Sequence, residues 1–365
     1  MAAPHVAGIL ALLREKNPDW TIEEIKALVM NTAGHDLYEE LGQKGSRYGQ
    51  SRVGAGRVDA AAAVANQVVA YSADDPGAVS VSFGAVEVVG QATFERRVKV
   101  VNHTNRSVTY RPSVDMFAEI PGLRYSFPDG DVTVPAGGSA TFRVRLTADA
   151  AQMRATHDPT VPETQFGFDR AWIPEHSGVI LLRPINSAPG ATAALRVPVW
   201  VTARPAADIR MTEDSLMFTG DSEFAILGME GTGLDTGDFS AYDYYSFVIP
   251  FELQHVGTVD SLDKAAGIGP SAITAVIQYA GVTTDSQAWI PWGLPPSYSE
   301  LYFGIVTHAD RSTPAEEVYY EVQVRPEGSD KIYSVVNTRA LFPVGASTEI
   351  TDVMILRSEE HTSEL

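Results

Sequence analysis

Phe94-Glu-Arg-Arg-Val-Lys-Val-Val101 and Ala140-Thr-Phe-Arg-Val-Arg-Leu-Thr147 decide the fold class. In the second stretch Ala140, Phe142, Val144 and Leu146 alternate with Thr141, Arg143, Arg145 and Thr147. In the first, Phe94, Arg96, Val98 and Val100 stand against Arg97, Lys99 and Val101. A period of two belongs to strands with one buried face, because successive Cβ atoms point to opposite sides of a sheet. Working outward, strand-like runs recur at 79–83, 107–116, 123–127, 178–183 and 194–202. Turn clusters such as Asn102-His-Thr-Asn105, Pro128-Asp-Gly130 and Pro135-Ala-Gly-Gly138 separate them. Short strands with regular turn signals predict an antiparallel β-sandwich over 78–204. The stretch 148–176 reads as an excursion between strand sets.

Beyond the linker Arg204-Pro-Ala-Ala-Asp208, strand-like runs continue at 209–218, 245–254, 272–280, 301–308, 316–325, 331–337 and 350–356. The β-branched and aromatic residues of Tyr245–Leu253 and Val318–Val324 suit strands. A second β-sandwich is expected over 206–356.

Residues 1–75 follow another period. Pro4 suits a first helical turn, and Val6, Ile9, Leu10, Leu12 and Leu13 spread over more than one face, which predicts a buried helix ending at Asn17-Pro18. Thr21 and Glu24 form a capping-box pattern ahead of Ile22, Ile25, Leu28 and Val29, an amphipathic helix closed by Asn31-Thr-Ala-Gly34. A polar loop then leads to Val53-Gly-Ala-Gly-Arg-Val-Asp-Ala60, where Asp59 is placed to cap an Ala-rich helix from 60 to about 70.

The 365 residues are 44% hydrophobic and 20% charged, enough to bury a sizeable core in two or three domains. With 27 basic against 46 acidic residues and a net charge of −19, nucleic acid is an unfavourable partner. Zero Cys excludes disulfides and thiolate metal sites. The apolar run Ile9–Leu13 is far short of the ~20 residues a membrane helix needs. Neither G-x-S-x-G nor H-E-x-x-H occurs, and phosphate-loop and dinucleotide fingerprints are absent too.

The remaining candidate sites are local. Asp235, Asp238 and Asp243, with Asp221 and Glu223 nearby, supply oxygen ligands for calcium, but their spacing is not an EF-hand loop and a solvated acidic loop is the simpler expectation. Trp289, Trp292 and Tyr298 lie in a Pro-rich loop and could stack on a sugar or peptide, with core or turn packing as the simpler expectation. His157 beside Asp158 and His176 beside Glu175 could be written into a triad, yet adjacent residues usually point apart. Asn102-His-Thr104 and Asn105-Arg-Ser107 are glycosylation sequons.

Met1-Ala-Ala-Pro-His-Val-Ala-Gly8 resembles the nucleophile segment of subtilisin-like serine proteases, peptidase family S8, whose motif runs Gly-Thr-Ser-Met-Ala-x-Pro-His-Val-Ala-Gly. Asn31-Thr-Ala33 and Gly54-Ala-Gly-Arg-Val-Asp-Ala-Ala61 resemble that family's closing helices, in the same order. Thr133–Phe142 and Ser177–Leu182 are similar to the fibronectin-III-like domain of cell-envelope subtilases. The resemblance implies a mixed fold, the C-terminal helical remnant of an α/β subtilase domain (1–75) followed by two all-β sandwich domains (78–204 and 206–356). It implies a secreted or cell-envelope endopeptidase acting on protein or peptide substrates through a Ser/His/Asp triad. The nucleophilic Ser would immediately precede Met1, so this chain alone is expected to be inactive. Met1, Pro4 and His5 would support the site from behind, His5 as a hydrogen-bonded core residue. Helices lacking the sheet they cover in the family are expected to leave Ile9, Leu10, Leu13, Ile25 and Leu28 without a partner surface.

Both ends read as unnatural. Residues 357–365 look like a translated adapter oligonucleotide, and the start has no basic leader or cleavage site, as expected of an internal position. The alternative is a non-catalytic extracellular β-sandwich protein with a binding or structural role.

Overall fold

The computed structural model describes residues 2–34, 37–165, 168–169, 173–185, 193–213, 226–237, 243–246, 248–259, 275–286, 292–293, 295, 299–308, 320–337 and 353–356. By contacts the chain divides into two compact units, Met1–Ser246 and Phe247–Leu365. Strands dominate both.

In the first unit helices α1 (Ala2–Lys16) and α2 (Ile22–Asn31) are followed by a hairpin of β1 (Tyr38–Glu40) and β2 (Lys44–Arg47). Then come α3 (Gln50–Val53) and α4 (Ala60–Ala65). The capping box is formed: Thr21 Oγ1 accepts from Glu24 N–H at 3.2 Å and Glu24 Oε2 accepts from Thr21 N–H at 2.9 Å. Asp59 caps α4 by accepting from Ala62 N–H at 2.9 Å. Three expectations change. The hairpin and α3 occupy the expected polar loop. The Ala-rich helix stops at Ala65 because the next residues enter a strand, β3 (Val68–Ser72). Finally, α1 is not a buried helix: Leu13 is fully buried, but Leu12 is 58% exposed and Pro4 and His5 are exposed.

The remaining strands of this unit are β4 (Val81–Val88), β5 (Gln91–Asn102), β6 (Val108–Ala118), β7 (Leu123–Ser126), β8 (Val132–Val134) and β9 (Ser139–Asp149). After them come the short pair β10 (Thr164–Gln165) and β11 (Phe168–Asp169), then β12 (His176–Pro184), β13 (Leu195–Pro205), β14 (Asp208–Met211) and β15 (Met229–Thr232). Two sheets face each other, ordered β3-β5-β9-β7 and β4-β13-β12-β6-β8. The two stretches that set the fold class pair directly, Phe94 opposite Leu146 and Val98 opposite Phe142. Val98, Val100, Phe142, Val144 and Leu146 share one core with Ile180, Leu182, Leu195, Val197 and Val199 of the second sheet. The sandwich is not wholly antiparallel, since β13 pairs with β4 in parallel. β12 runs so close to β6 that a Cβ on Gly178 would lie 2.3 Å from the Asp115 carbonyl oxygen.

The helices have a partner surface after all. β3, N-terminal to the expected sandwich, pairs antiparallel with Val98–Asn102 of β5 and so belongs to its first sheet. Its outward Val69, with Val79, forms a second core with Leu13, Ile25, Ala27, Leu28 and Ala63, against which Ile9, Leu10, Trp20, Tyr71 and Val101 pack. The outer face of the sandwich sheet thus receives these helices.

In the second unit β16 (Glu252–Val256), β17 (Ile277–Thr284) and β18 (Leu301–Thr307) form one antiparallel sheet. β19 (Glu321–Val324), β20 (Tyr333–Asn337) and β21 (Val353–Leu356) form another. The strand expected at 245–254 begins at Glu252; Tyr245 instead makes an isolated bridge with Asp235. Phe251 lies over Gly281 and Gly304, neighbours across β17 and β18, where a Cβ would come within 2.9 and 3.1 Å of its side chain. Val335 is the one buried apolar side chain among this unit's described residues.

Candidate functional site

The segment that carries the protease resemblance is the first turn of α1. Pro4 and His5 are exposed there, so His5 is not the core histidine expected; Met1 lies outside the described residues. No acidic side chain occupies that turn. The unpaired N–H groups and positive dipole end of the helix therefore meet no carboxylate from α1 itself.

His176 and Glu175 do not form a triad pair. His176 is 3% exposed; its Nδ1 accepts from Ile120 N–H at 3.1 Å and its ring lies 4.9 Å from that of Tyr125. Because Nδ1 accepts, Nε2 carries the proton. Burial holds the imidazole well below its usual value, to about 4, so it is neutral at pH 7. Glu175 points elsewhere: Oε1 accepts from Ser177 Oγ at 3.0 Å and Oε2 from Trp200 Nε1 at 3.2 Å. Ser177 thus donates to a carboxylate rather than to a base. Asp158 Oδ1 accepts from the backbone N–H and hydroxyl of Thr160 at 2.8 and 2.7 Å, a turn-stabilising arrangement. His157 lies beside Pro159, Val161, Pro162 and Glu163 in a shallow groove.

Sequence reading missed the docking of the loop before α3 onto this region. Gln50 N–H donates to Ser177 Oγ at 3.4 Å, and a Cβ on Gly49 would lie 2.0 Å from Glu175 Oε1 and 3.1 Å from Asp158 Oδ2. A side chain at this position would displace the Glu175 carboxylate from its place against the backbone. Arg47 bonds Asp115 at 3.1 Å and stacks 4.0 Å over Phe117.

Among the carboxylates proposed for calcium, Asp238, Asp221 and Glu223 lie outside the described residues. Asp243 faces Gly237 and pairs with Arg154 at 3.7 Å, so a cation already balances it. Among the described residues no three His or acidic side chains converge to hold a metal. Trp289 and Tyr298 lie outside the described residues; Trp292 is 80% exposed, against the expectation of core or turn packing.

The first sequon is structural. Asn102 is fully buried, and its amide donates to the carbonyls of Arg106 (2.7 Å) and Pro135 (3.0 Å) while accepting from Thr104 N–H at 2.9 Å. Asn102→Ala should lower unfolding free energy by about 2 kcal/mol in a urea titration, because it leaves buried backbone groups unpaired. Asn105 is exposed.

Residues 1–82 match the subtilase family, peptidase S8. The chain is also 28% identical over 185 residues to the minor extracellular protease Vpr of Bacillus subtilis (strain 168), covering 48% of this chain and 20% of that protein. These two matches support a subtilase-like relationship. The chain spans about a fifth of that relative's length. Solved structures give slighter likenesses. The ASH/PapD-like domain of human CEP192 aligns at TM-score 0.24 and 12% identity, covering 39% of this chain and 87% of that one. The CooA pilin subunit of enterotoxigenic Escherichia coli aligns at 0.23 and 13%, covering 38% and 99%. Among the described residues no helix is long and apolar enough to cross a membrane.

Proposed function

We propose that this chain is the C-terminal part of an extracellular subtilisin-like serine endopeptidase. In this reading the helices α1–α4 close the catalytic domain, and a fibronectin-III-like sandwich that begins with β3 and a further β-module follow. The observation that carries the reading is the subtilase match over residues 1–82, which begins on the segment that continues the nucleophile motif. A serine directly before Met1 would stand at the N-terminal end of α1, where free N–H groups and the helix dipole favour a developing oxyanion. Its base and orienting acid would come from upstream, as would the specificity pockets. Exposed Leu12 and the exposed first turn of α1 fit a surface that more protein covers.

The test is to sequence the source locus upstream of Met1, then express the chain with and without the added frame. Hydrolysis of a generic protein substrate is expected from the longer chain only, and is expected to vanish when alanine replaces the serine preceding Met1. Serine-inhibitor-sensitive hydrolysis by residues 1–365 alone, or a stop codon just before Met1, would overturn the reading.

A further inference from the structure

The C-terminal turn of α2 is tied to both sheets of the sandwich by one side chain. Asn31 is fully buried. Its Oδ1 accepts from Ala70 N–H at 2.7 Å and its Nδ2 donates to the Ala70 carbonyl at 3.0 Å. The amide thus engages β3, an edge strand, as a residue of a neighbouring strand would. Nδ2 also donates to the Arg196 carbonyl at 2.9 Å, on β13 in the opposite sheet. Arg196 completes the tie, its guanidinium donating to the Ala33 carbonyl at 2.7 Å.

Few side chains could take this place. It calls for one acceptor and two donors on a short neutral group, which aspartate and leucine both fail to supply. Burial makes each missing bond expensive, because water cannot replace it. Ile25 and Leu28 of α2 share their core with Leu13 of α1, so whatever fixes α2 fixes α1 as well.

We propose that Asn31 is a positioning residue through which the β-sandwich sets the placement of the α1–α2 hairpin, and with it the N-terminal end of α1. The consequence for a nucleophile rests on the protease reading above; the docking itself does not. An ordinary buried amide would, when lost, weaken the whole unit evenly. A positioning amide would release the hairpin first.

Amide hydrogen exchange on the full chain separates the two. In Asn31→Leu, amides of Val6–Leu13 and Ile25–Met30 should exchange about tenfold faster or more, while Val144 and Ile180 in the sandwich core change less than about threefold. Arg196→Met should loosen the same helices, and the double variant should add little to either, since both act through one junction. If Asn31→Leu does not fold, Arg196→Met carries the test alone. An equal change in helices and core, no change in the helices, or fully additive losses would overturn the proposal. None of these readings uses peptidase activity: an inactive longer chain would sink the protease reading and leave this one standing, whereas unaltered helix exchange would do the reverse.

Discussion

Phe142→Ala should remove about 3–5 kcal/mol from the stability of the first unit. Phe142 is 1% exposed and stands in β9, opposite Val98. Its ring lies 6.2 Å from that of Phe127, and its core neighbours come from both sheets. Truncation forfeits the transfer of a whole ring from water and leaves a cavity that two hydrogen-bonded sheets cannot close. Thr141→Ala, one residue away on the outer face, should change stability by less than about 0.5 kcal/mol. Urea titration followed by exchange protection of the β5 and β9 amides measures both. Equal effects at 141 and 142 would mean that the two-sheet packing described above is wrong.

Acidification supplies the second large effect. His176 is held neutral in the fold, to about 4 against an ordinary value of 6.5, because burial disfavours the imidazolium. Between those values the unfolded chain binds a proton that the folded chain does not. The stabilising contribution is therefore complete above about pH 6.5 and is lost progressively as pH falls towards 4, by roughly 3 kcal/mol in all. His176→Gln keeps an acceptor for Ile120 N–H without a group that titrates there. Its stability should fall less steeply between pH 7 and pH 4.5 than that of the unaltered chain. Parallel pH profiles would show that the imidazole is not the acid-sensitive element.

The capping box, the Asp59 cap and the β5–β9 alternation were legible in the sequence because each is local: a side chain three residues from its partner, or a pleat of period two. β3 was not. Val68-Val-Ala-Tyr-Ser72 follows an alanine run with only Asn66 and Gln67 between, too short an interruption to announce a new element, and pairing with β5 makes it a strand. The hairpin at 38–47 carries no apolar alternation, so its polar residues read as loop. Of the candidate site, the motif on α1 was visible as sequence, but its exposure was not, since an apolar helix carries no mark of which neighbours are present. The Asn31–Arg196 junction joins positions 165 residues apart, a separation that no local pattern encodes.

The ladder between β3 and β5 also bears on how the protein can be divided. A piece cut at residue 78, in the turn where composition changes, would lose β3 and bare the backbone of Val98–Asn102 together with the outward face of Val101. An open strand edge of that kind recruits other chains. A self-contained sandwich has to begin no later than Val68, inside what reads as the preceding domain, so proteolytic separation of the two would yield an adhesive fragment rather than an independent module.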